Sequence, residues 1–317
     1  MVLTYSDNIK NHKELLNIGR KLADEKGEKL TSVLLGKENK DHGEELIKYG
    51  ADRVIVTNPD MEGSKAEETT DILHQVIRDE EEELILVGST KSGKEIAPRL
   101  AAKMDAGSAS DASKIYYKDG DLYAERMVFS GNAVALIKFH GTPALITVPV
   151  KAYDPLPKDE GRTGEVIEKE TSPGEHRSKT LDVQKMKTEG ANVEDAEIIV
   201  SCGRGFKNSG DIQIIKDLAD VLNGTTLGCS RPIAADLKWM SEDHWIGLSG
   251  HKVKPRLYVA CGISGQVQHI AGMRDSGVIV AINKDPDAPI FKSADYGIVG
   301  DLYNVIPKLK QAIKDKM

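Results

Sequence analysis

The stretch LYVACGISGQVQHIAGMRDSGVIVAIN, Leu257–Asn283, decides the fold of this chain. It opens with a short apolar run, Leu257–Cys261, which is typical of a buried strand. The glycine loop Gly262–Gly265 follows at once, and apolar residues at helical spacing then predict a helix over Gly265–Arg274. A second apolar run, Val278–Ile282, comes next. Strand, loop, helix and strand in this order predict two parallel strands joined by a crossover helix.

The same alternation of strands and helices continues on both sides of this stretch. Upstream, Glu197–Ser201 is an apolar run and Asp211–Leu222 carries a helical apolar stripe, whereas Asn223–Pro255 shows no regular pattern. Downstream, Tyr296–Val299 has the pattern of a strand and Leu302–Lys314 that of a helix. The second half therefore predicts an open, mostly parallel sheet flanked by helices.

The first half of the chain shows a similar order of elements, beginning close to the N-terminus. Short apolar runs alternate with amphipathic segments, which predicts a second open, mostly parallel sheet with helices on both faces. The acidic run at the end of one helix predicts a solvated edge, Glu80–Glu83. The predicted strands and helices are, in order, Val2–Tyr5, Asn11–Lys26, Leu30–Leu35, Glu44–Tyr49, Arg53–Thr57, Glu67–Arg78 and Glu83–Gly88.

The pattern changes after Lys114. Glu165–Lys169, in a long polar segment, is a candidate edge strand, and a linker is expected around Lys187–Asn192. We therefore expect two α/β domains, over residues 1–190 and 191–317. Four strand-like runs joined by turns predict antiparallel additions to the first sheet or a small flap, over Lys114–Tyr117, Leu122–Met127, Ala133–Phe139 and Ala144–Val148.

Composition excludes several classes of protein. The 317 residues carry a net charge of -7 and 5% aromatic residues, so we expect no nucleic-acid partner, which would need basic surfaces and stacking rings. No apolar run approaches the about 20 residues of a membrane span, and no leader pattern follows Met1. We therefore expect a cytoplasmic protein without a transmembrane segment. The spacings of Cys202, Cys229 and Cys261 fit neither a metal site nor a disulfide framework.

The segment GSTKSGKE, Gly88–Glu95, nearly matches the phosphate-binding loop of nucleotide hydrolases. That loop needs Ser or Thr after its lysine because the hydroxyl binds Mg²⁺, and here Glu95 follows Lys94. A carboxylate at this position would repel phosphate. We interpret the segment as a polar connection between a strand and a helix rather than an ATP site.

Four loops of the second half follow strands, at the edge where open α/β sheets bind ligands. Two of them carry an arginine that can pair with phosphate: Arg204 in CGRG and Arg231 in GCSRP. In the third, Ser264 is the expected N-cap of a helix whose free N–H groups suit an anion. The fourth begins at Asn283, whose amide suits a ribose or an adenine edge. Together the loops predict a site for a dinucleotide.

Two further residues beside these loops are candidates for ligand contact. His269 lies four residues after Gly265, on the helix face next to the loop, and we interpret it as a ligand contact rather than a structural histidine. Asp301 precedes the last helix and either caps it or also holds ribose hydroxyls. The three cysteines adjoin the same loops, where small side chains allow a cofactor to pack closely.

These residues closely resemble the signature of the electron transfer flavoprotein alpha subunit family. The similarity covers most of Glu197–Pro307, and the first half is similar more loosely. Besides the quoted stretch, the matching segments are Val200–Lys207 (VSCGRGFK), Ser230-Arg231, Lys284–Phe291 (KDPDAPIF) and Ala294–Leu302 (ADYGIVGDL), with Lys94–Ala102 and Ser130–Ala133 in the first half.

The resemblance implies that the C-terminal domain has a Rossmann-like fold and binds FAD, with no metal and no catalytic residue. It also implies a heterodimer with a beta subunit that contacts the N-terminal domain, completes the site and carries AMP or a second FAD. Carried over by position, the FAD contacts are Arg204, Ser230, Arg231, Ile246, Gly247, Leu248, Ser249, Ser264, Gly265, Gln266, Val267, Gln268, His269, Asn283, Asp301 and Leu302.

The resemblance further implies roles for some of these residues. Ser249 is expected at flavin N5, His269 at the pyrimidine carbonyl and Arg231 beside the ring. Two positive groups there would stabilise the negative charge that develops on reduction. Asn283 and Asp301 are expected at the adenosine end.

One segment of the predicted site departs from the family pattern. Many members have Gln-Thr-Gly-Lys where this chain has Leu248-Ser249-Gly250-His251. Ser249 keeps the hydroxyl, Leu248 loses an amide, and His251 replaces a fixed charge by a titrating one. We therefore expect the flavin potential to differ from the common pattern.

The expected function is that of an electron carrier rather than an enzyme. The resemblance implies that the protein takes electrons from flavin dehydrogenases, with acyl-CoA dehydrogenases as the expected donors, and passes them to a quinone reductase or another acceptor. One alternative is a bifurcating flavoprotein that couples NADH to ferredoxin and a high-potential acceptor. Another is a subunit that binds a nucleotide without a redox role.

Overall fold

The computed structural model describes residues 1–58, 65–131, 133–176, 180–182 and 192–316. The chain divides into two compact units, Met1–Gln184 and Lys185–Met317, which are described one at a time. The linker predicted at Lys187–Asn192 lies outside the described residues apart from Asn192, so the boundary at residue 190 stays a prediction. None of the described helices is long and apolar enough to cross a membrane.

The first unit is built on a seven-stranded sheet in which every pair of neighbouring strands is parallel, in the order β10-β3-β2-β1-β4-β9-β5. Its strands are β1 (Val2–Tyr5), β2 (Leu30–Leu34), β3 (Arg53–Thr57), β4 (Leu84–Gly88), β5 (Gly107–Ala109), β9 (Ala144–Val148) and β10 (Glu165–Lys169). Its helices are α1 (Ile9–Lys26), α2 (Asp41–Lys48), α3 (Ala66–Glu80) and α4 (Lys91–Met104).

Helices cover both faces of this sheet because successive residues of its buried strands point to opposite sides. Val2 packs in one core with apolar residues of α1 and α2. Leu3 packs in the other core with α3 and α4. This arrangement confirms the predicted α/β fold class.

Three strands between β5 and β9 form a separate antiparallel sheet: β6 (Ala112–Lys118), β7 (Asp121–Val128) and β8 (Ala133–Lys138). They are the predicted flap. The fourth run, Ala144–Val148, was expected among the antiparallel additions, and that expectation is wrong: it pairs parallel with β4 in the main sheet. Glu165–Lys169 is an edge strand, as predicted, and β5 was not predicted.

The segment Gly88–Glu95 is a strand-to-helix connection, as interpreted. The Thr90 hydroxyl caps α4 by accepting a hydrogen bond from the Gly93 N–H at 2.9 Å. The Lys94 ammonium forms an ion pair with the Asp111 carboxylate at 3.6 Å.

The second unit is a five-stranded, wholly parallel sheet in the order β12-β11-β13-β14-β15. This 2-1-3-4-5 order is the flavodoxin-like member of the doubly wound class, and its switch point lies between β11 and β13. Its strands are β11 (Ile198–Cys202), β12 (Thr225–Cys229), β13 (Leu257–Cys261), β14 (Val278–Asn283) and β15 (Tyr296–Val299); its helices are α5 (Gln213–Ala219), α6 (Val267–Met273) and α7 (Leu302–Lys314).

Two predictions for the part of the second unit before β13 are wrong. Thr225–Cys229 forms β12 inside the section expected to be irregular, because its backbone pairs with β11 although its side chains are only partly apolar. The helix expected over Asp211–Leu222 is shorter: a 3₁₀ turn, Ser209–Ile212, precedes α5, which ends at Ala219.

The acidic run at the end of α3 is not wholly solvated, contrary to the expectation. Glu82 is only 4% exposed, and neither carboxylate oxygen has a hydrogen-bond partner among the described residues. Burial raises the pKa of Glu82 from 4.5 to about 7. Glu80 forms ion pairs with Arg53 and Lys169 at 2.9 Å each. Two of the four acidic residues are therefore held in the structure, one by burial and one by ion pairs.

We predict that Glu82→Gln stabilises the protein at pH 8. The pKa of Glu82 in the folded state lies above its value in the unfolded state. Its contribution to the free energy of unfolding is therefore fully present below pH 4.5 and is lost as the pH rises through about 7, where the buried carboxyl ionises. Glutamine does not ionise, and the variant should gain about 3 kcal/mol in the free energy of unfolding at pH 8. Urea unfolding at pH 5 and pH 8 measures this gain.

Glu83→Gln is the matched control, because Glu83 is exposed and adjacent. Its free energy of unfolding should stay within about 0.5 kcal/mol of the parent at both pH values. Equal stabilisation by the two substitutions would contradict the prediction that burial of the Glu82 carboxylate destabilises the protein at pH 8.

Candidate functional site

A cleft of about 620 Å³ lies at the carboxyl edge of the second sheet. It is lined by the loops after β11, β12, β13 and β14 and by the first turn of α7, and it includes the switch point. The loops after β11 and β13 touch through their backbones, since the Gly205 N–H donates to the Gly262 carbonyl at 3.0 Å. A Cβ on Gly203 would lie 2.5 Å from the same carbonyl oxygen. Glycine is needed there for the two loops to meet.

The structure brings together fourteen of the sixteen residues predicted as FAD contacts. Gly265 and Val267 do not line the cleft in the described structure. The residues that do are Arg204, Ser230, Arg231, Ile246, Gly247, Leu248, Ser249, Ser264, Gln266, Gln268, His269, Asn283, Asp301 and Leu302.

The loop between β13 and α6 differs from its prediction. Helix α6 begins at Val267, not at Gly265, and its N-cap is Gln266, so Ser264 does not cap it. The Ser264 carbonyl instead accepts a hydrogen bond from the Ile290 N–H at 3.1 Å. Gly265 has a φ of +81°, and a Cβ there would lie 2.2 Å from the Ile290 nitrogen. Gly265 therefore serves close backbone packing rather than the cleft.

Four cationic side chains line the cleft: Arg204, Lys207, Arg231 and Lys284. All four are exposed, and no ion pair links them to a carboxylate within the described part of the chain. Asp301 is the acidic residue among the lining residues, and its carboxylate caps α7 by accepting from the Tyr303 N–H at 2.9 Å. An excess of unpaired positive charge at a sheet edge suits an anionic ligand.

The sequence prediction missed several lining residues, of which Lys207, Lys284, Trp245 and Tyr303 bear on chemistry. Lys207 lies over the Tyr303 ring, 5.5 Å from its centroid, and Arg231 lies 5.8 Å from that of Trp245. Lys284 belongs to the fourth predicted loop, although it was not among the expected FAD contacts. Lys207 follows the same strand as Arg204, so extending the first loop by two residues would have found it.

A tight loop, Trp245–His251, forms one wall of the cleft and presents Leu248 and Ser249 as exposed residues. The His251 N–H donates to the Trp245 carbonyl at 2.8 Å, and the Leu248 N–H donates to the Gln268 carbonyl of α6 at 2.7 Å. The His251 ring does not line the cleft; its Nδ1 lies 2.8 Å from the Glu194 carboxylate. The family departure at His251 therefore affects how the loop is anchored.

His269 is not the positive group that was expected. Its Nε2 lies 2.9 Å from the Tyr258 hydroxyl, and its buried Nδ1 has no hydrogen-bond partner among the described residues. Burial lowers the pKa of His269 to about 4, so the ring is neutral at neutral pH. Of the two groups expected to be positive beside the flavin ring, only Arg231 carries a permanent charge.

The amide of Asn283 is committed to the loops themselves. Its Nδ2 donates to the Ile263 carbonyl at 2.9 Å, and its Oδ1 accepts from the Asp285 N–H at 3.0 Å. These bonds join the end of β14 to the loop after β13. The expected contact of Asn283 with adenosine stays a prediction.

The three cysteines lie side by side at the ends of β12, β11 and β13. Cys202 is in register with both Cys229 and Cys261, and all three thiols are free and buried. Burial raises the pKa of the Cys202 thiol to about 12 and raises those of the other two as well. They are packing residues beneath the cleft, protonated at neutral pH.

Comparison with known proteins matches two family descriptions to this chain. The profile "Electron transfer flavoprotein domain" matches residues 7–173, and "Electron transfer flavoprotein FAD-binding domain" matches residues 192–274. The electron transfer flavoprotein subunit alpha of Thermoanaerobacterium thermosaccharolyticum is 42% identical, over 95% of this chain and 92% of the relative.

Two other relatives are similar over comparable lengths. The electron transfer flavoprotein subunit alpha of Megasphaera elsdenii is 38% identical, over 95% of this chain and 91% of its own. The acryloyl-CoA reductase electron transfer subunit beta of Anaerotignum propionicum is 34% identical over the same shares.

We predict that Gly265→Ala destabilises the second unit by at least about 2 kcal/mol, because the new methyl group collides with the Ile290 backbone and the φ of +81° disfavours it. Gly210→Ala is the matched control, since a Cβ at Gly210 has no neighbour within 4 Å. Urea unfolding of both variants measures the difference. A Gly265→Ala protein as stable as the control would show that the loop does not pack as described.

Proposed function

The chain belongs to the electron transfer flavoprotein alpha-subunit family, and we propose that it is the FAD-holding subunit of a heterodimer that carries electrons between flavin enzymes. Its family relatives are named as electron transfer subunits, so this is an electron carrier rather than an enzyme. The observation that carries the proposal is the cleft itself, in which four exposed cations and one buried imidazole nitrogen have no partner among the residues that the structure describes.

The residues of the cleft fit FAD by charge and by size. The diphosphate of FAD is doubly anionic, and Arg204, Lys207 and Lys284 offer guanidinium and ammonium donors that no carboxylate occupies within the described residues. A volume of about 620 Å³ lies within the usual range for cofactor sites, about 300–1,000 Å³. The N-terminus of α7, a helix of thirteen residues, adds a partial positive charge at the same edge.

Three side chains would serve the flavin ring. FAD, when bound, supplies the redox chemistry of its ring. Arg231 would place a fixed positive charge beside the ring, and the Ser249 hydroxyl, exposed in the cleft, would exchange a hydrogen bond with it. Neutral His269 would offer hydrogen-bond donation without a charge. Because this positive charge and these hydrogen-bond donors are already in place before reduction, they would stabilise the negative charge that reduction adds to the ring.

The partner in this proposal is a beta subunit that contacts the N-terminal unit, completes the site and carries AMP or a second FAD. Acyl-CoA dehydrogenases or other flavin dehydrogenases would supply electrons, and a quinone reductase or another acceptor would take them. The Anaerotignum propionicum relative is named as an electron transfer subunit of acryloyl-CoA reductase, which supports a redox partner that acts on a CoA thioester.

We predict that co-expression with its beta subunit yields a yellow heterodimer with one FAD held by this chain. Absorbance spectroscopy and flavin extraction count the flavins, and reduction by an acyl-CoA dehydrogenase tests electron transfer. Two flavins per heterodimer would favour the bifurcating alternative, and bound FAD that no dehydrogenase reduces would favour the non-redox one. A colourless heterodimer that does not take up added FAD would refute the proposal.

We also predict that Arg204→Ala weakens FAD binding by about 10- to 100-fold, the value of one charge-assisted hydrogen bond. The loss should shrink as salt is added, because an exposed charge is screened. Lys308→Ala on α7 is the control: Lys308 is exposed and does not line the cleft. Fluorescence titration of FAD into the flavin-free heterodimer measures both. Equal affinities for parent and Arg204→Ala would remove Arg204 from the site.

A further inference from the structure

The hydroxyl of a fully buried tyrosine reaches the histidine of the cleft from behind. Tyr258, on β13, is 0% exposed and packs in the apolar core that contains Ile199, Met273 and Ile279. Its oxygen lies 2.9 Å from the Nε2 atom of His269, and the two rings are tilted with centroids 6.2 Å apart. His269 lines the cleft, whereas Tyr258 does not.

The chemistry of this pair favours one position for the imidazole proton. A neutral imidazole has one N–H and one lone pair, and a hydrogen bond at one nitrogen decides which nitrogen carries the proton. A phenol is the stronger donor of the two, so the Tyr258 hydroxyl donates to the lone pair of Nε2. The proton then resides on Nδ1.

The Nδ1 atom of the ring has no side-chain partner in the part of the chain that the structure describes. Nδ1 is buried and makes no hydrogen bond of normal geometry within the described residues, and the backbone of Ile246, which lines the cleft, lies close enough to the imidazole to raise its pKa. A buried N–H without an acceptor costs about 1–3 kcal/mol. An acceptor on a bound molecule would remove that cost.

We propose that Tyr258 is a positioning residue that fixes His269 in the Nδ1–H tautomer, so that the ring presents a single N–H donor to the ligand of the cleft. Without the phenol no hydrogen bond at Nε2 would select the Nδ1–H tautomer, and a part of the molecules would present the lone pair of Nδ1, which repels a hydrogen-bond acceptor on the ligand. The identity of the ligand rests on the proposed function, but the tautomer does not.

The test is the protonation state of the two His269 nitrogens, read by NMR in the full-length chain with ¹⁵N-labelled histidine and without FAD. The chain has 8 histidines, and the signals that vanish in His269→Gln are those of His269. We expect the proton on Nδ1 in the parent, and a mixture of both tautomers in Tyr258→Phe. In the FAD-loaded heterodimer, Tyr258→Phe should also shift the flavin reduction potential.

Tyr296→Phe is the matched control, because Tyr296 lies on β15 of the same sheet and is 66% exposed. It should leave both the tautomer and the potential unchanged. A parent with the proton on Nε2 overturns the proposal, even if Tyr258→Phe does not fold. An unchanged tautomer in a folded Tyr258→Phe protein overturns it too. Because this measurement needs no flavin, failure to bind FAD would count against the proposed function and not against the role of Tyr258.

Discussion

The contact between two backbones at the switch point is the constraint on which the second unit depends. The loops after β11 and β13 leave adjacent strands and meet through Gly203, Gly205 and Gly262, close enough that a Cβ on Gly203 or Gly205 would lie 2.5 or 2.7 Å from the opposite backbone. Because the glycines close the space between the strand ends, a ligand must lie on top of the loops rather than between them. The four cations and the first turn of α7 then face one cleft from several sides.

The polar groups of this cleft are arranged for a ligand rather than for the stability of the free chain. Within the described residues, the four exposed cations have no carboxylate partner, and the buried Nδ1 atom of His269 forgoes a hydrogen bond that folding could have satisfied. The apolar layer beneath them, which includes three protonated cysteines in register, supplies no compensating charge. An anionic ligand with hydrogen-bond acceptors would relieve both costs, so binding and folding of this unit are expected to be coupled.

Local sequence patterns were sufficient where the structure is local. The stretch Leu257–Asn283 contains two adjacent parallel strands and their crossover, so its apolar runs and glycine loop predicted the centre of the second sheet and the loops of the site. Pairing between distant segments was not predictable: Ala144–Val148 lies beside β4 because of topology, and Thr225–Cys229 is a strand because β11 pairs with it. The protonation states of Glu82 and His269 depend on burial, which spacing along the chain does not reveal.

The rim of the cleft carries exposed apolar side chains. Leu248 is 55% exposed on the loop that carries Ser249, and Val267, the first residue of α6, is 46% exposed between the lining residues Gln266 and Gln268. Apolar side chains beside a charged cleft gain from being covered, at about 25 cal/mol per Å² of apolar surface removed from water. This chain therefore supplies the charges and hydrogen-bond donors of the site. In the proposed heterodimer, the bound cofactor and the second polypeptide would supply the cover that excludes water and strengthens those charges.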